Sequence, residues 1–555
     1  MFKEKIAKAV SEALSLEESD IIEKIEDITE EGKGDLALPC FVFSKTLRKS
    51  PVQIAEEIQK AISLPDCFEK CESLNGYLNF YYKKDYFMNY VADEINEKKE
   101  KYGSSEEGKG KTCFIEHTSI NPNASPHIGR ARNAIVGDFL ARLMRFEGYE
   151  TDVHYFVNDI GKQISMLVLA SESAENIQFS ELLDLYVSIN KEIKENPELE
   201  KKVFDLLNKL ENGDEETRKQ FRNIVDICIE GQTKILNELG IFYDKFDYES
   251  KFLFDNSLVD IIEKLKKTGL LFEDEDGRYV VNLEKYNLSP LVVTRGDKTS
   301  LYPLRDIAYT IWKSEQNADK NYIVLGEDQI LYFKQISAIV SELGYKPPQV
   351  VHYSFVLLVD GKMSTRQGTV VLLEDFMRSA VEKAEQNMRE RDVVFEEDRA
   401  RKIAYAAVKY SMENSSNEKN VVFDLENALK FEGETGAYLQ YSYVRINSIL
   451  RKCEYDANQP VDYTLLKTES EFNLFKDMHL LNKTIHKAKE NMSPHIITKY
   501  IFNLAKDFAA FYHECSIVNA ESEEIKRARV ELILCVKQIF ENIFQILGIS
   551  LIEKM

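Results

Sequence analysis

The spacing of apolar residues between positions 112 and 157 predicts a β-α-β unit. Two β-rich runs, Thr112 to Glu116 and Thr151 to Val157, flank a segment in which apolar residues recur every three to four positions from Ala131 to Phe146. That period is typical of a helix with one wide buried face. Gly148 supplies a helix-ending signal before the second strand. The chain is therefore expected to contain an α/β domain in which a helix connects neighbouring strands.

The loop between the first strand and this helix has the chemistry of a phosphate site. His127 and Gly129 stand where the loop meets the helix N-terminus. Free backbone N–H groups, the positive end of the helix dipole and an imidazole donor can hold phosphates at such a position. We therefore expect phosphates to bind here, although an isolated His-x-Gly also fits an ordinary helix start.

A second candidate phosphate element follows the β-rich run from Val350 to Val359. The turn Asp360-Gly361 leads into the run Lys362-Met363-Ser364-Thr365-Arg366. Lys362 and Arg366 can close over a polyphosphate, and Ser364 adds a hydroxyl donor. The sequence therefore predicts a second loop that can bind a polyphosphate.

The remaining pattern predicts further domains on both sides of these motifs. Residues 1 to about 85 alternate amphipathic helices with Gly-rich turns and end in a strand: the expected elements are helices at Phe2 to Leu16 and Leu36 to Leu47, a helix from Pro51, and a strand after the turn at Asn75-Gly76. Residues 86 to about 110 form a polar linker by composition. Residues from about 165 to 290 are mostly helical and highly charged, which indicates an insertion between the halves of the sheet. Beyond the Lys362 loop nearly everything is expected to be helical.

Composition narrows the class of protein. The chain has 555 residues, 44% hydrophobic and 30% charged, which is typical of a soluble protein with about three or four domains. It contains no run of about 18 apolar residues and no signal peptide, so we expect no membrane partner and a cytoplasmic location. Its eight scattered cysteines suit a reducing compartment. Cys67 and Cys71 lack a second Cys/His pair nearby and are expected to be packing residues, not zinc ligands.

The net charge of −22 argues against a nucleic-acid partner unless basic residues gather on one face. Candidates for such a face lie near and within the last helices: Arg445, Arg451, Lys452, Lys483, Lys487 and Lys489. Each of them also fits an ordinary solvated helix charge.

Three residues suggest the substrate. Glu116 ends the first strand, at the carboxyl edge where open α/β sheets bind ligands. Tyr302 and Asp306 are four positions apart, which is one turn if the run is helical. Two carboxylates beside an aromatic ring suit a planar guanidinium cation. The alternatives are a surface ion pair between Asp306 and Arg305 and a merely solvated Glu116.

These motifs resemble those of class I aminoacyl-tRNA synthetases, and of the arginyl-tRNA synthetase family in particular. The His127 loop resembles the His-Ile-Gly-His signature, and the Lys362 loop resembles the Lys-Met-Ser-Lys-Ser signature. Other runs that look like family motifs, in the family's order, are Glu116 to Asn121, Asn158 to Gln163, Tyr302 to Asp306, Gly326 to Gln329, Phe423 to Gly433, Thr435 to Tyr441 and Ile449 to Arg451. Near the N-terminus, Gly34 to Ala37 and Gly76 to Phe80 resemble the family's additional tRNA-contacting domain.

The resemblance implies an α/β fold: a class I Rossmann-type parallel-sheet catalytic domain with an N-terminal α+β domain and a C-terminal all-α helical domain. The implied boundaries are 1–110 for the N-terminal domain with its linker, 111–430 for the catalytic domain with an insertion at about 165–290, and 431–555 for a DALR-type anticodon-binding domain. The implied activity is that of an arginine–tRNA ligase, acting as a monomer on L-arginine, ATP with Mg²⁺, and tRNA(Arg), without zinc.

The resemblance also implies residue roles. Glu116, Tyr302 and Asp306 would hold the guanidinium, and Asn121 and Gln329 would fix the other end of arginine. ATP would be held by residues of the two loops, with no metal-binding side chain: His127, Gly129, Arg130, Lys362, Met363 and Ser364. Of these, His127, Arg130 and Lys362 are the expected catalytic residues.

The sequence departs from the family pattern at three positions. Arg130 replaces the last His of the first signature, and Thr365 replaces the second Lys of the other. Arg130 or Arg366 could supply the missing positive charge. Tyr332 stands where the family usually carries His. Two alternatives stay open at this point: another nucleotidyl-transferring enzyme with the same loop, and a non-enzymatic tRNA-binding paralogue.

Overall fold

The computed structural model describes residues 1–28, 33–171, 177–358, 371–390, 396–453 and 459–554. The chain divides into two compact units. Unit 1 comprises Met1–Tyr102, Ser448–Leu480 and Lys506–Ile539. Unit 2 comprises Gly103–Asn447, Leu481–Ala505 and Phe540–Met555.

Short strands form four sheets among the described residues. In chain order they are β1 (Glu26–Asp27), β2 (Leu36–Pro39), β3 (Phe68–Leu74), β4 (Tyr77–Tyr82), β5 (Thr112–Glu116), β6 (Glu150–Val157), β7 (Lys245–Tyr248), β8 (Leu271–Glu273), β9 (Tyr279–Val281), β10 (Leu291–Val292), β11 (Lys320–Gly326), β12 (Gln349–Tyr353), β13 (Val356–Leu358) and β14 (Val421–Phe423).

Helices make up most of the rest. In chain order they are α1 (Phe2–Leu14), α2 (Glu18–Ile22), α3 (Ser44–Leu47), α4 (Pro51–Ala61), α5 (Lys84–Lys98), α6 (Ile128–Phe146), α7 (Lys162–Ser171), α8 (Leu182–Glu195), α9 (Pro197–Glu211), α10 (Glu215–Glu238), α11 (Lys251–Phe254), α12 (Ser257–Thr268), α13 (Tyr302–Glu315), α14 (Ile330–Glu342), α15 (Leu373–Glu390), α16 (Glu397–Glu413), α17 (Leu425–Ala428), α18 (Gly436–Lys452), α19 (Glu469–His479), α20 (Leu481–Asn491), α21 (His495–Glu514) and α22 (Glu523–Leu547).

Unit 2 is built on a five-stranded parallel sheet in the order β12-β11-β5-β6-β7. Strand β5 lies at its centre, where Glu116 stands opposite Ile323 of β11 and His154 of β6. Because all five strands run the same way, their carboxyl ends meet at one edge, which is where open α/β sheets bind ligands. The prediction of a Rossmann-type parallel sheet is confirmed.

Helix α6 is buried on two sides, whereas its apolar pattern predicts one wide buried face. Val136, Leu140 and Met144 pack with residues of β5, β6 and β11. Ile135 packs against the opposite layer, which contains α15 and α16. Each such fully buried apolar side chain contributes about 1.5–3 kcal/mol, so the helix that begins at His127 is firmly held.

Two stretches of unit 2 differ from the sequence prediction. Strand β7, at Lys245–Tyr248, lies inside the segment expected to be a helical insertion, yet it pairs with β6 in the main sheet. The β-rich run from Val350 to Val359 is not one strand: β12 joins the main sheet, and β13 pairs with β14. In both places the strand assignment depends on pairing with distant strands, which the local sequence pattern does not show.

Unit 1 combines the start of the chain with two later segments. Its antiparallel sheet has the order β1-β2-β4-β3. The helix expected at Pro51 is present, capped by Ser50 and Gln53 in a capping box. The helix expected from Leu36 to Leu47 is wrong: Leu36–Pro39 is strand β2, paired with β4, and only Ser44–Leu47 is α-helical. A short apolar run fits a buried strand as well as a helix, and here the pairing partner decided.

Helices from the later segments complete the core of unit 1. Phe87 of α5 meets Phe472 of α19 with ring centroids 5.7 Å apart. The hydroxyl of Tyr102 donates to the carbonyl of Met478 at 3.2 Å. Within the described part of the chain, no helix is long and apolar enough to cross a membrane.

Candidate active site

The His127 loop is fixed at the N-terminus of α6. His127 is the residue before the helix, with an extended backbone. Burial, aided by the charge of Arg130, lowers the pKa of His127 to about 4, so the imidazole is neutral at physiological pH. Its Nδ1 is buried and has no hydrogen-bond partner among the described residues. A neutral imidazole with an unused polar atom at a helix N-terminus is well placed to bind a phosphate group.

The segment after the Lys362 loop is hydrogen-bonded to the His127 loop. Ile128 N–H donates to the carbonyl of Val371 at 3.1 Å, and Leu373 N–H donates to that of Pro126 at 2.8 Å. Lys362, Met363 and Ser364 themselves lie outside the described residues, as do Thr365 and Arg366. The structure therefore brings the described segment from Val371 onward to the first phosphate element. Gly129 is half-buried and Arg130 is exposed.

Glu116 is buried and already paired. Its carboxylate accepts a hydrogen bond from the ammonium of Lys313 on α13, and the two side chains are 6% and 1% exposed. The alternative of a merely solvated strand-end acid is wrong. A guanidinium would therefore have to compete with Lys313 for Glu116. The sequence analysis did not predict Lys313 as a partner of Glu116.

Asp306 lies in a different environment, on the first turns of α13. The hydroxyl of Tyr332 on α14 donates a hydrogen bond to its Oδ2. The ring of Tyr332 in turn meets that of Tyr302, with centroids 5.4 Å apart. Burial, followed by the negative charge of Glu249, raises the pKa of Asp306 to about 7. Tyr302 and Asp306 are thus brought together as the sequence predicts, with Tyr332 as an additional member.

Glu249 is a member of the site that sequence reasoning missed. It directly follows β7, and its backbone N–H donates to the carbonyl of Val157 at 3.0 Å. One carboxylate oxygen accepts from Arg305, so the expected alternative of an Asp306–Arg305 pair is not what forms. The other, Oε2, is buried without a hydrogen-bond partner among the described residues. Burial raises the pKa of Glu249, and Arg305 partly offsets this.

Asn121 and Gln329 lie at the same sheet edge. Asn121 is exposed on the loop after β5, and its carbonyl accepts from Gln232 of α10 at 3.0 Å. Gln329 follows β11, is half-buried, and donates to Asp328 at 3.0 Å. Neither side chain contacts Asp306 through a hydrogen bond found among the described residues.

The loop that joins Glu116 to Asn121 has strained backbone. Thr118 and Ser119 have φ values of 81° and 45°, in the left-handed region. The Thr118 N–H donates to Asn133 of α6 at 2.5 Å. Each such residue costs about 1–3 kcal/mol and persists only where its surroundings fix it. The hydrogen bond to the buried helix α6 thus helps to hold this loop in its strained conformation.

Three family models match the chain. They are the arginyl tRNA synthetase N terminal domain over residues 1–82, the tRNA synthetases class I (R) catalytic domain over residues 92–425, and the DALR anticodon binding domain over residues 439–555.

The chain belongs to the arginyl-tRNA synthetase family.

Curated relatives of this family match over the whole chain. The arginine–tRNA ligases of Clostridium perfringens (strain 13 / Type A) and Halothermothrix orenii (strain H 168 / OCM 544 / DSM 9562) are each 35% identical over 567 aligned residues, which cover 100% of both chains. The arginyl-tRNA synthetase of Thermus thermophilus shares the fold with a TM-score of 0.83 at 23% identity, covering 100% of both chains. That of Plasmodium falciparum has a TM-score of 0.82 at 21% identity, covering 100% of this chain and 98% of its own.

Membership in the arginyl-tRNA synthetase family confirms the resemblance seen in the motifs. It also confirms the predicted combination of a parallel-sheet catalytic domain with an N-terminal domain and a helical C-terminal domain. The predicted residue roles and the domain limits of 110 and 430 remain predictions.

Proposed function

We propose that this chain is an arginine–tRNA ligase whose active site is the carboxyl edge of the parallel sheet in unit 2. It would join arginine to ATP as arginyl-adenylate, with release of pyrophosphate, and then pass the arginyl group to the 3′ end of tRNA(Arg). Full-length identity of 35% to curated arginine–tRNA ligases supports the activity. The observation that supports the location is the pair of acids Asp306 and Glu249, on the same edge as the His127 loop.

We assign the guanidinium of arginine to Asp306 and Glu249. Both carboxyl groups are buried, and burial raises the pKa of each; the charge of Glu249 raises the pKa of Asp306 further. Glu249 has one unused oxygen, and Asp306 has only a neutral donor, Tyr332, as its hydrogen-bond partner among the described residues. A guanidinium supplies several N–H donors and one positive charge to such a pair. Glu116 is the weaker candidate: like Glu249 it is already paired with a cation, but of these two acids only Glu249 has a buried carboxylate oxygen without a hydrogen-bond partner among the described residues.

The remaining arginine contacts follow from this placement. Tyr302 is 55% exposed and presents a ring beside Asp306, where it can cover the planar guanidinium. Asn121 and Gln329 end up on the loops after β5 and β11, so they are proposed to orient the α-amino and carboxylate end. That end must face the nucleotide, because its carboxylate is the group that reacts.

ATP is assigned to the His127 loop and the Lys362 loop. The neutral imidazole of His127, the backbone N–H of Gly129 and the exposed guanidinium of Arg130 are the proposed phosphate ligands on the first loop. Lys362, Met363 and Ser364 are proposed to close from the other side. Arg130 is proposed to supply the positive charge that Thr365 lacks.

The reaction needs no covalent bond to the enzyme. An oxygen of the arginine carboxylate attacks the α-phosphorus of ATP in line; a P–O bond forms, the bond to the bridging oxygen breaks, and pyrophosphate leaves. In the second step a ribose hydroxyl of the tRNA attacks the activated carbonyl, AMP leaves, and the hydroxyl proton is lost to AMP or solvent. Catalysis therefore consists mainly of positioning and of neutralising developing phosphate charge, as expected of His127, Arg130 and Lys362.

Mg²⁺ is proposed to enter with the ATP phosphates. This ion keeps several waters and binds through phosphates with one or two carboxylates, so it does not require a dedicated protein cage. The described residues contain no cluster of three or more His, Cys, Asp or Glu side chains arranged for a metal. The residue roles proposed here do not depend on the ion.

The tRNA surface is proposed to use exposed basic residues despite the net charge of −22. Lys489 is no longer a candidate: its ammonium pairs with Glu147 at 2.5 Å and Glu107 at 3.0 Å, and its side chain is 9% exposed. The exposed candidates from the sequence are Arg451, Lys452, Lys483 and Lys487. A monomer in the cytoplasm is proposed for the active protein.

ATP–pyrophosphate exchange and aminoacylation, measured with and without tRNA(Arg), test the function. We expect arginine-dependent exchange that requires tRNA, and arginylation of tRNA(Arg) but not of other tRNAs. Exchange with a different amino acid, or tRNA binding with no exchange and no arginylation, would contradict the proposal.

A further inference from the structure

Tyr332 is placed to act on arginine without touching it. It is the third residue of α14, and its hydroxyl donates to Oδ2 of Asp306 on the neighbouring helix α13. Its ring is half-buried in the core that α13 and α14 share, and it meets the exposed ring of Tyr302. One side chain thus contacts both the acid and the aromatic ring proposed to bind the guanidinium.

We propose that Tyr332 is a positioning residue that orients the Asp306 carboxylate and thereby sets the affinity for arginine. The inference rests on the proposed function. A hydroxyl can donate one hydrogen bond to a carboxylate oxygen, but it cannot neutralise the carboxylate charge. It therefore fixes the orientation of Asp306 while leaving the charge for a cationic ligand.

The charged groups around Asp306 make this donor important. The charges of Glu249 and Glu116 disfavour ionised Asp306, and the charge of Arg305 favours it, although its guanidinium donates its hydrogen bond to Glu249. Lys313 is paired with Glu116. Tyr332 is the side chain whose hydrogen bond favours ionised Asp306, and burial together with Asp306 keeps the tyrosine hydroxyl protonated by raising its pKa. Without that donor, Asp306 would be harder to ionise and free to turn.

The test compares Tyr332→Phe with a matched control on the same core. Tyr309→Phe also removes a hydroxyl that donates to a carboxylate, that of Asp247 at 2.7 Å, but Tyr309 has no bond to Asp306. We expect Tyr332→Phe to raise the KM for arginine by roughly 10- to 100-fold, as for a lost hydrogen bond to a charged group, while kcat at saturating arginine and the KM for ATP stay within about twofold. Tyr309→Phe should leave the KM for arginine unchanged.

Two further readouts separate positioning from a general structural effect. The pH at which arginine affinity rises should move upward in Tyr332→Phe, because ionised Asp306 loses a donor. In a double-mutant cycle with Asp306→Asn, the Phe substitution should add little to the loss of arginine affinity, since it acts through a carboxylate that is already gone.

The outcomes are distinguishable. If the wild-type protein does not arginylate tRNA, the proposed function fails and this inference fails with it. If the wild-type protein is active but Tyr332→Phe changes the KM for arginine and for ATP equally, or matches Tyr309→Phe, Tyr332 is structural and the inference alone is overturned. Full additivity in the double-mutant cycle overturns it as well.

If Tyr332→Phe does not fold, Tyr332→His is the second test, because histidine keeps an N–H donor at this position. If arginine affinity rises at the same pH as in the wild-type protein, the inference is supported. If that pH shifts upward, the inference is overturned.

Discussion

Replacing Asp306 with Asn should stabilise the free protein and at the same time weaken arginine binding. Burial and the charge of Glu249 raise the pKa of Asp306 from 3.8 to about 7. The ionised form is therefore disfavoured in the folded state, and the cost appears only above the unfolded pKa. It grows by about 1.4 kcal/mol per pH unit and levels off above about pH 7, at roughly 4 kcal/mol. The Asn variant carries no such cost.

Arginine binding should change in the opposite direction. If the guanidinium pairs with Asp306, removal of the carboxylate costs about 2–5 kcal/mol of binding free energy, or about 30- to 5000-fold in arginine affinity. ATP is assigned to other residues, so its KM should stay close to the wild-type value. Asn retains an oxygen that can accept from Tyr332, so the two tyrosine rings have no reason to move.

Thermal unfolding without ligands, at about pH 4.5 and about pH 8, measures the first effect. The midpoint of the Asn variant should exceed that of the wild-type protein at the higher pH, and the difference in unfolding free energy should fall from roughly 4 kcal/mol there to about 1 kcal/mol at the lower pH. Asp260→Asn, at an exposed position on α12, is the control for loss of a charge alone. The KM values for arginine and for ATP in tRNA-dependent exchange measure the second effect, the loss of arginine binding. A variant less stable than wild type at about pH 8, or one with equal changes in both KM values, would refute the reasoning.

Other substitutions test the remaining assignments. Glu249→Gln and Glu116→Gln each break a buried ion pair and should lower the unfolding free energy by about 3–5 kcal/mol, but only Glu249→Gln should also raise the KM for arginine; the reverse order would return the guanidinium to Glu116. His127→Ala and Lys362→Ala should each slow adenylate formation about 100- to 1000-fold in single-turnover assays with little effect on tRNA affinity, and an unchanged rate would make that residue structural. Neutralising the two exposed lysines of α20, Lys483 and Lys487, should reduce the log–log slope of tRNA affinity against salt by about 0.7–0.9 per lost phosphate contact. An unchanged slope would mean that tRNA binds elsewhere.

The sequence was sufficient where a pattern is long and local. The run Thr112 to Glu116 is the strand predicted, and the periodic run around Phe139 is the buried helix predicted. It failed where three-dimensional pairing overrides a short pattern. Leu36–Pro39 reads equally well as helix or strand, and only its partner β4 makes it a strand.

The same limit explains what was missed at the site. Glu249 follows a four-residue strand inside a charged, mostly helical stretch, so no local signal marks it as a sheet-edge acid. In the sequence Lys313 is an ordinary lysine in a helical pattern. Nothing in that pattern predicts that it is buried against Glu116, which is 197 positions earlier in the chain. Tyr332 was visible as a departure from the family's usual His, but its partner Asp306 became evident only when α13 and α14 were seen side by side.

The composition of unit 1 has a consequence for how the protein is made. Asn96 donates to Glu531 at 2.6 Å, a contact that spans 435 residues, and Lys84 pairs with Glu469 across 385 residues. During synthesis at about 5–20 residues per second, the N-terminal sheet leaves the ribosome long before these partners exist. The apolar side chains that the later helices cover, such as Phe87 of α5, would remain without these partners for at least tens of seconds. The N-terminal segment is thus expected to need protection, for example by a chaperone, until the later helices of unit 1 have been made.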